Sequence, residues 1–347
     1  MFKKKSCLFL SICLILVVNL VGCSSGNSSH ANEKVSLSEL HFDTIMNISL
    51  YGDNKEELTG IIRDSYARID DLEKIFSAQL ESSELYAINQ AIARGEESFT
   101  ISDELEKVIK YGLDVNEASN GALDITIGNL IDLWGIGTDH ENLPTSEAIS
   151  EALVGTGCSY LSLDEDNNEL RVSSRKVKID LGAIAKGYAA DDIKSLILSK
   201  NPKVTGILDF GGNIMTIGGK TDGSKWKVGI TDPFDNSNVY GGVSVSDLCV
   251  VTSGNYERYF EKDGVRYHHI LDAKTGFPAK KGLASVSIIG SSSIQCDALS
   301  TACFCLGADD ALSLINGIDG VECVLIYENG DVAASDGIGQ YDFVRAE

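Results

Sequence analysis

The feature that most constrains this chain is an abrupt change of apolar period. Between Val35 and Tyr51 apolar and polar residues alternate, whereas Leu58, Ile61, Ile62, Ser65, Ile69, Leu72 and Phe76 recur at helical spacing. A period of two divides side chains between the faces of a strand, and a period of 3.6 gathers them on one stripe of a helix. A strand over 35–51 and an amphipathic helix over 54–76 follow. Ser102 starts another helix with acids in its first turn, turning Leu105, Val108, Ile109 and Leu113 inward. Residues 121–137 are punctuated by Gly121, Gly128, Gly135 and Gly137. From Val177 a short strand is expected to end at Asp180, with a helix from about Ala183 to about Leu198. Strands follow over 204–210, 226–230 and 243–252, then a hairpin over 259–271 around Asp263-Gly264. A strand over 284–289, helices over 294–306 and 308–316, and a last hairpin from Val321 complete the pattern. Strands and helices mix without strict βαβ alternation, which makes the fold α+β.

The N-terminus carries a separate signal. Lys3, Lys4 and Lys5 precede an apolar run from Leu8 to Val21, then Leu20-Val21-Gly22-Cys23. A basic head, a short apolar core and small residues at the break mark a secretory signal peptide over 1–22. The Cys after Leu-Val-Gly resembles a bacterial lipobox, which makes Cys23 the expected lipidation site and residues 23–33 a flexible tether. The remaining domain is then 34–347, lipid-anchored outside the cytoplasm. Removing residues 1–22 takes three lysines and no acids, moving the net charge from −22 to −25. Such a charge argues against nucleic acid and anionic headgroups as partners, and an anionic substrate would call for a metal. Of nine cysteines, six (Cys158, Cys249, Cys296, Cys303, Cys305 and Cys323) lie in apolar segments of the domain without CxxC spacing. They read as buried free thiols, and their spacing gives no zinc site.

Four constellations carry possible chemistry. Asp180-Leu181-Gly182-Ala183-Ile184-Ala185-Lys186-Gly187-Tyr188 delivers an acid, a glycine turn and a helix N-terminus with a Lys in its first turn, a natural phosphate corner. An ordinary helix start with a surface Lys explains it equally well. Asp209-Phe210-Gly211-Gly212-Asn213 would let a ligand approach the backbone closely, although a bare turn needs the same glycines. Thr252-Ser253-Gly254-Asn255-Tyr256-Glu257-Arg258 is followed by Tyr267-His268-His269-Ile270-Leu271-Asp272. Neighbouring residues on a strand face opposite ways, so at most one of the two histidines enters a given pocket, where it could accept a proton. Asp297-Ala298-Leu299-Ser300-Thr301 sets a carboxylate and a hydroxyl four apart on one helical face, hard oxygens that suit Mg²⁺. The alternative is a capping Asp and a Thr bonded back to its own helix.

In this order the segments resemble the ApbE family of FAD:protein FMN transferases. The resemblance also includes Glu73 to Ser77, Ser83-Glu84-Leu85 with Asn89, Gly121 to Thr126, Leu133-Trp134-Gly135 and Thr275-Gly276, and runs from about Phe42 to Ala334. It implies T-fold-like, mixed and largely antiparallel sheets flanked by helices, with an FAD cleft between two intimate lobes. It further implies FAD contacts at Met46, Ala122, Leu123, Asp124, Asp180 and Lys186, with Gly211, Gly212, Ser253 and Gly254 lining the same site. Mg²⁺ would be held by Asp297, Thr301 and the Ala183 carbonyl, with His269 as the base. The implied reaction moves FMN from FAD to a Ser or Thr hydroxyl of an acceptor flavoprotein, releasing AMP. That acceptor would belong to a redox membrane complex or be secreted.

Two departures stand out. The family's Met-Gly-Thr turn reads Met46-Asn47-Ile48, and a position where members often carry an aromatic residue is Gln79. Loss of a stacking partner leaves open hydrolysis of FAD to FMN and AMP. A lipoprotein that holds FAD without chemistry is a further alternative. A solute-capture lipoprotein fits less well, because such proteins alternate βαβ units.

Overall fold

The computed structural model describes residues 33–346, which belong to one compact unit. The expected signal peptide over 1–22, the expected lipidation site Cys23 and most of the expected tether lie outside the described residues. Among the described residues no helix is long and apolar enough to cross a membrane.

Eight strands form the central sheet: Glu33–His41, Thr44–Gly52, Thr205–Phe210, Asn213–Ile217, Cys249–Gly254, Leu283–Gly290, Glu322–Tyr327 and Val332–Ala334. They lie side by side in chain order, each antiparallel to the next. The helices are α1 (Lys55–Phe76), α2 (Glu84–Arg94), α3 (Asp103–Ala118), α4 (Gly128–Trp134), α5 (Ser146–Leu153), α6 (Ala185–Lys200), α7 (Ser293–Leu306) and α8 (Ala308–Asn316). All fall in the excursions between strands, the first six between Gly52 and Thr205. One face of the sheet, with Ile48, Leu50, Leu208, Met215, Val251, Val286, Ile288 and Leu325, shares a core with α1, α6 and α7. The intervening positions Val250, Ile289, Val324 and Ile326 meet Trp226, Val228, Ile230, Tyr240, Val243 and Val245. Those six come from a second sheet of Trp226–Thr231, Val239–Val245 and Val344–Arg345. Leu283–Gly290 is therefore buried on both faces, at Ser285 and Ser287 as well as at its apolar positions. This largely antiparallel, helix-flanked arrangement is the α+β fold that the sequence implies.

Several elements differ from the sequence reading. The single strand over 35–51 is a hairpin, turned at Phe42 and Asp43 with φ of 47° and 55°. Buried positions shift from odd (Val35, His41) to even (Met46, Ile48, Leu50), a parity change that one straight strand cannot make. The stretch 243–252 is likewise two strands in different sheets, broken at Asp247 with φ 60°. No strand ends at Asp180. That segment is extended with only an isolated bridge, Ile127 to Lys178, and Asn89 supplies the hydrogen bonds a neighbouring strand would have made. Helix α6 starts at Ala185, two residues after the expected Ala183. Helix α2, capped by Ser83 and closed by Gly95 at φ 93°, was not expected as an element, nor was the small sheet of Ser98–Thr100, Glu169–Val172 and Leu161–Asp164. The hairpin at Asp263-Gly264 and helices α7 and α8 stand where the sequence puts them. All six cysteines of the domain are free and buried.

Candidate active site

The corner at 177–188 is built by side chains rather than by a sheet. The Asn89 amide accepts from the Ile179 N–H and donates to its carbonyl, both at 2.8 Å. The Asp180 N–H donates to the Ile125 carbonyl at 2.8 Å, which lays the 121–126 loop against the corner. Asp180 Oδ1 then accepts from Gly182 N at 2.9 Å, and burial pushes the Asp180 carboxyl above the usual range. No side chain caps α6. Its Gly187 N–H, which a regular helix would pair with the Ala183 carbonyl, donates instead to Asp297 Oδ2 at 2.8 Å. The Ala183 carbonyl accepts no hydrogen bond among the described residues. Gly187 is required here: a Cβ would stand 2.5 Å from the Ser293 carbonyl oxygen and 2.7 Å from both Asp297 Cβ and Ile294 Cα.

Helix α7 runs beside Cys249–Gly254, bringing Ser300 Oγ within 2.7 Å and Thr301 Oγ1 within 3.4 Å of Ser253 Oγ. Asp297 is buried, and desolvation raises its carboxyl against the opposing pull of Lys186 and the Gly187 N–H. It forms no ion pair among the described residues, and its carboxylate accepts one hydrogen bond, from the first turn of α6, where the preceding Ala183 carbonyl is left without a partner. Asp297, Thr301 and the Ala183 carbonyl offer only hard oxygens, a donor set that fits Mg²⁺.

Lys186 is half-buried and donates from Nζ to the Gly182 carbonyl at 3.0 Å. Its charge acts on Asp180, Asp297, Glu257 and His269 together, which makes it the common neighbour of the site. Glu257 keeps water-accessible surface, yet surrounding protein pushes its carboxyl up to about 7, as expected for the wall of a recess. The two histidines part company. His268 is buried, with Nε2 3.0 Å from the Ala279 carbonyl and its ring edge-on to Phe304 at 5.4 Å. His269 is half-buried, its Nδ1 3.3 Å from the Arg258 carbonyl. Donation from Nδ1 to that carbonyl leaves Nε2 as the lone-pair nitrogen. Burial, then the Arg258 charge, lowers the His269 pKa to about 3, so the ring is neutral throughout the physiological range.

The turns at this end of the central sheet close around the same place. Gly211 and Gly212 have φ of 65° and 87°, and a Cβ at Gly211 would meet Thr44 Oγ1 at 2.3 Å. A Cβ at Gly212 would lie 3.4 Å from Glu257 Oε1. Gly254 is pinned in the same way, with the Tyr256 ring 2.2 Å from where its Cβ would stand. Asp124 sits one residue before the Ile125 carbonyl that holds Asp180. Its Oδ1 accepts from Thr126 N at 2.8 Å and Thr126 Oγ1 at 2.5 Å. Ala122 is half-buried, and Leu123 is buried with its carbonyl held by Asn116 Nδ2 at 2.6 Å. Met46 is not brought into the polar cluster. Its side chain is fully buried, and its carbonyl lies 2.8 Å from Tyr66 Oη. Gln79 is a surface residue whose Nε2 lies 3.5 Å from Asp132 Oδ1. Sequence reasoning gave no role to Glu257 or Arg258, although both stand in a segment it singled out. Asp132, paired with Lys178 and acting on Asp180, carried no signal.

A sequence profile of the ApbE family matches residues 42–325. The chain belongs to the ApbE family. It is 34% identical to an FAD:protein FMN transferase of Treponema pallidum (strain Nichols), over 96% of each chain. It is 30% identical to a protein of the same name from Haemophilus influenzae, over 81% of this chain and 80% of that one. Among solved structures, the ApbE protein of Thermotoga maritima superposes with a TM-score of 0.82 at 33% identity, over 91% of this chain and all of that one. The flavin transferase ApbE of Vibrio cholerae gives 0.77 at 27%, over 90% of this chain and all of that one.

Proposed function

We propose that this ApbE-family chain transfers FMN from FAD to a Ser or Thr hydroxyl of an acceptor flavoprotein, releasing AMP, with Mg²⁺ as the working metal. The relatives' names support the transferase activity. The observation that carries the reading for this chain's own residues is the Gly187 N–H diverted to Asp297, which leaves the Ala183 carbonyl without its helical partner, while the Lys186 charge acts on both Asp297 and His269.

In the reaction the acceptor oxygen bonds to the phosphorus nearest riboflavin, and the bond from that phosphorus to the AMP oxygen breaks. Asp297, Thr301 and the Ala183 carbonyl would hold Mg²⁺, which when bound neutralises pyrophosphate charge. Lys186 supplies a fixed positive charge close to Asp297, and positioning with charge neutralisation is the main need of phosphoryl transfer. His269 Nε2 takes the acceptor's hydroxyl proton. An anionic pyrophosphate beside the imidazole would raise its proton affinity from the level to which burial and Arg258 depress it. Such a base contributes about 10²–10⁴-fold in rate.

The basic head and lipobox at Cys23 support an extracytoplasmic, lipid-anchored protein, able to reach acceptors in redox membrane complexes or secreted flavoproteins. AMP release from FAD tests the phosphoryl step. Release that requires Mg²⁺, stops with EDTA and is abolished in Asp297→Ala is expected. Release at full rate without an acceptor would make the chain an FAD hydrolase, the reading that polar Gln79 favours. Tight FAD binding without AMP under any condition would reduce it to a binding protein.

A further inference from the structure

Away from the recess, where the first hairpin meets α1, His41 faces three carboxylates. The residue is only 6% exposed, and its ring lies flat against Tyr66, centroids 5.7 Å apart and planes 18° apart. Its Nδ1 has no hydrogen bond among the described residues. Asp70 Oδ1 stands 3.4 Å and Glu73 Oε2 3.6 Å from it. Asp70 and Glu73 are three apart on α1 and so project from one face. Glu73 is aimed by its other oxygen, Oε1, which accepts from the Phe42 N–H at 2.9 Å. The second ring nitrogen, Nε2, points at Glu39 Oε2, 3.4 Å away.

These separations are long for hydrogen bonds but fit ligands that share a cation. Bonds of about 2.0–2.1 Å to a tetrahedral centre put ligand atoms about 3.3–3.4 Å apart. The ligand atoms of His41, Asp70 and Glu73 all lie within 4.8 Å of one another. Glu39 supplies what metal-bound histidines ordinarily have, a carboxylate on the other ring nitrogen that fixes tautomer and ring orientation. One imidazole with two carboxylates suits a borderline cation of the zinc class and not Mg²⁺, which prefers oxygen alone. We infer that His41 Nδ1, Asp70 and Glu73 form a second metal site for a Zn²⁺-class cation, with Glu39 positioning the imidazole and water completing the shell. Such an ion would join the hairpin turn, whose Phe42 and Asp43 both have positive φ, to α1.

The experiment uses the untagged full-length protein, stripped with chelator and titrated with Zn²⁺ alone by calorimetry, and with Co²⁺ by visible absorption. Binding of one ion is expected with a tetrahedral Co²⁺ spectrum, retained in Asp297→Ala. His41→Asn should abolish that spectrum, and Glu39→Gln should weaken affinity by about 10–100-fold. Because His41 is buried, the exposed Asp70→Asn serves as a second variant that leaves the fold intact and should also lose the spectrum. Wild-type protein without a tetrahedral Co²⁺ spectrum would overturn the assignment. So would unchanged affinity in both His41→Asn and Asp70→Asn.

Discussion

Replacing Gly187 with Ala should uncouple the two helices that assemble the site. The added Cβ would lie 2.5 Å from the Ser293 carbonyl oxygen and 2.7 Å from Ile294 Cα, which are backbone atoms that cannot rotate away. Carbon contacts settle at about 3.5–4.0 Å, so α6 and α7 must separate by about 1 Å. Overpacking against backbone costs about 3 kcal/mol, at the upper end of the usual range, and the better helix propensity of Ala returns about 1 kcal/mol. The net loss is about 2 kcal/mol, a fall in Tm of about 3 °C at the roughly 0.7 kcal/mol/K unfolding entropy of a domain this size. The same movement carries Asp297 away from the Ala183 carbonyl, and misplacement by about 1 Å costs about 10²-fold in rate. Gly60→Ala is the control: it lies on an exposed turn of α1 with nothing near its Cβ and should stabilise by about 0.5–1 kcal/mol. Thermal unfolding and initial rates of AMP release measure both variants. A Gly187→Ala protein with the Tm and rate of wild type would refute the close crossing as the device that builds the site.

Asn89→Ala should strand the N–H and carbonyl of buried Ile179, cost about 2–4 kcal/mol by chemical denaturation, and loosen the corner at Asp180. His269→Ala should lower transfer by about 10²–10⁴-fold while FAD affinity, followed by fluorescence, stays within a few-fold; an equal loss in both would make His269 a binding residue. Glu257 carries a proton up to about 7 when folded, against an ordinary value of 4.5. The folded state therefore holds the extra proton between these values, and stability should fall as pH rises from about 4.5 to about 7. Glu257→Gln should remove that part of the slope in Tm measured from pH 5 to pH 8, and an unchanged slope would contradict the raised carboxyl.

The parts legible in sequence are those where local pattern and tertiary environment agree. Helix α1 has a capping Asn54, first-turn acids and a clean apolar stripe, so its period alone places it. The Asp263-Gly264 turn was readable because its residues tolerate positive φ. Phe42-Asp43 adopts similar angles, but Phe42 does not announce them and no glycine follows Asp43, so the parity shift on either side is the clearer sign of the hairpin. The corner at Asp180 looked like a strand end because its hydrogen-bond partner is a side chain, Asn89, 90 residues earlier. In the site, Asp297 and Thr301 were accessible as an i, i+4 pair. The raised carboxyl of Glu257 and the divergence of His268 from His269 arise from packing across distant segments, which a linear pattern does not encode.

The most direct test of the central claim is covalent FMN on an acceptor. A flavoprotein domain carrying a Ser/Thr flavinylation site is incubated with the protein, FAD and Mg²⁺, and its intact mass and in-gel flavin fluorescence are followed. A mass gain of one FMN less water, matched mole for mole by AMP, is expected, lost in Asp297→Ala and slowed in His269→Ala. AMP formed at wild-type rate with the acceptor mass unchanged across a panel of such domains would contradict transfer.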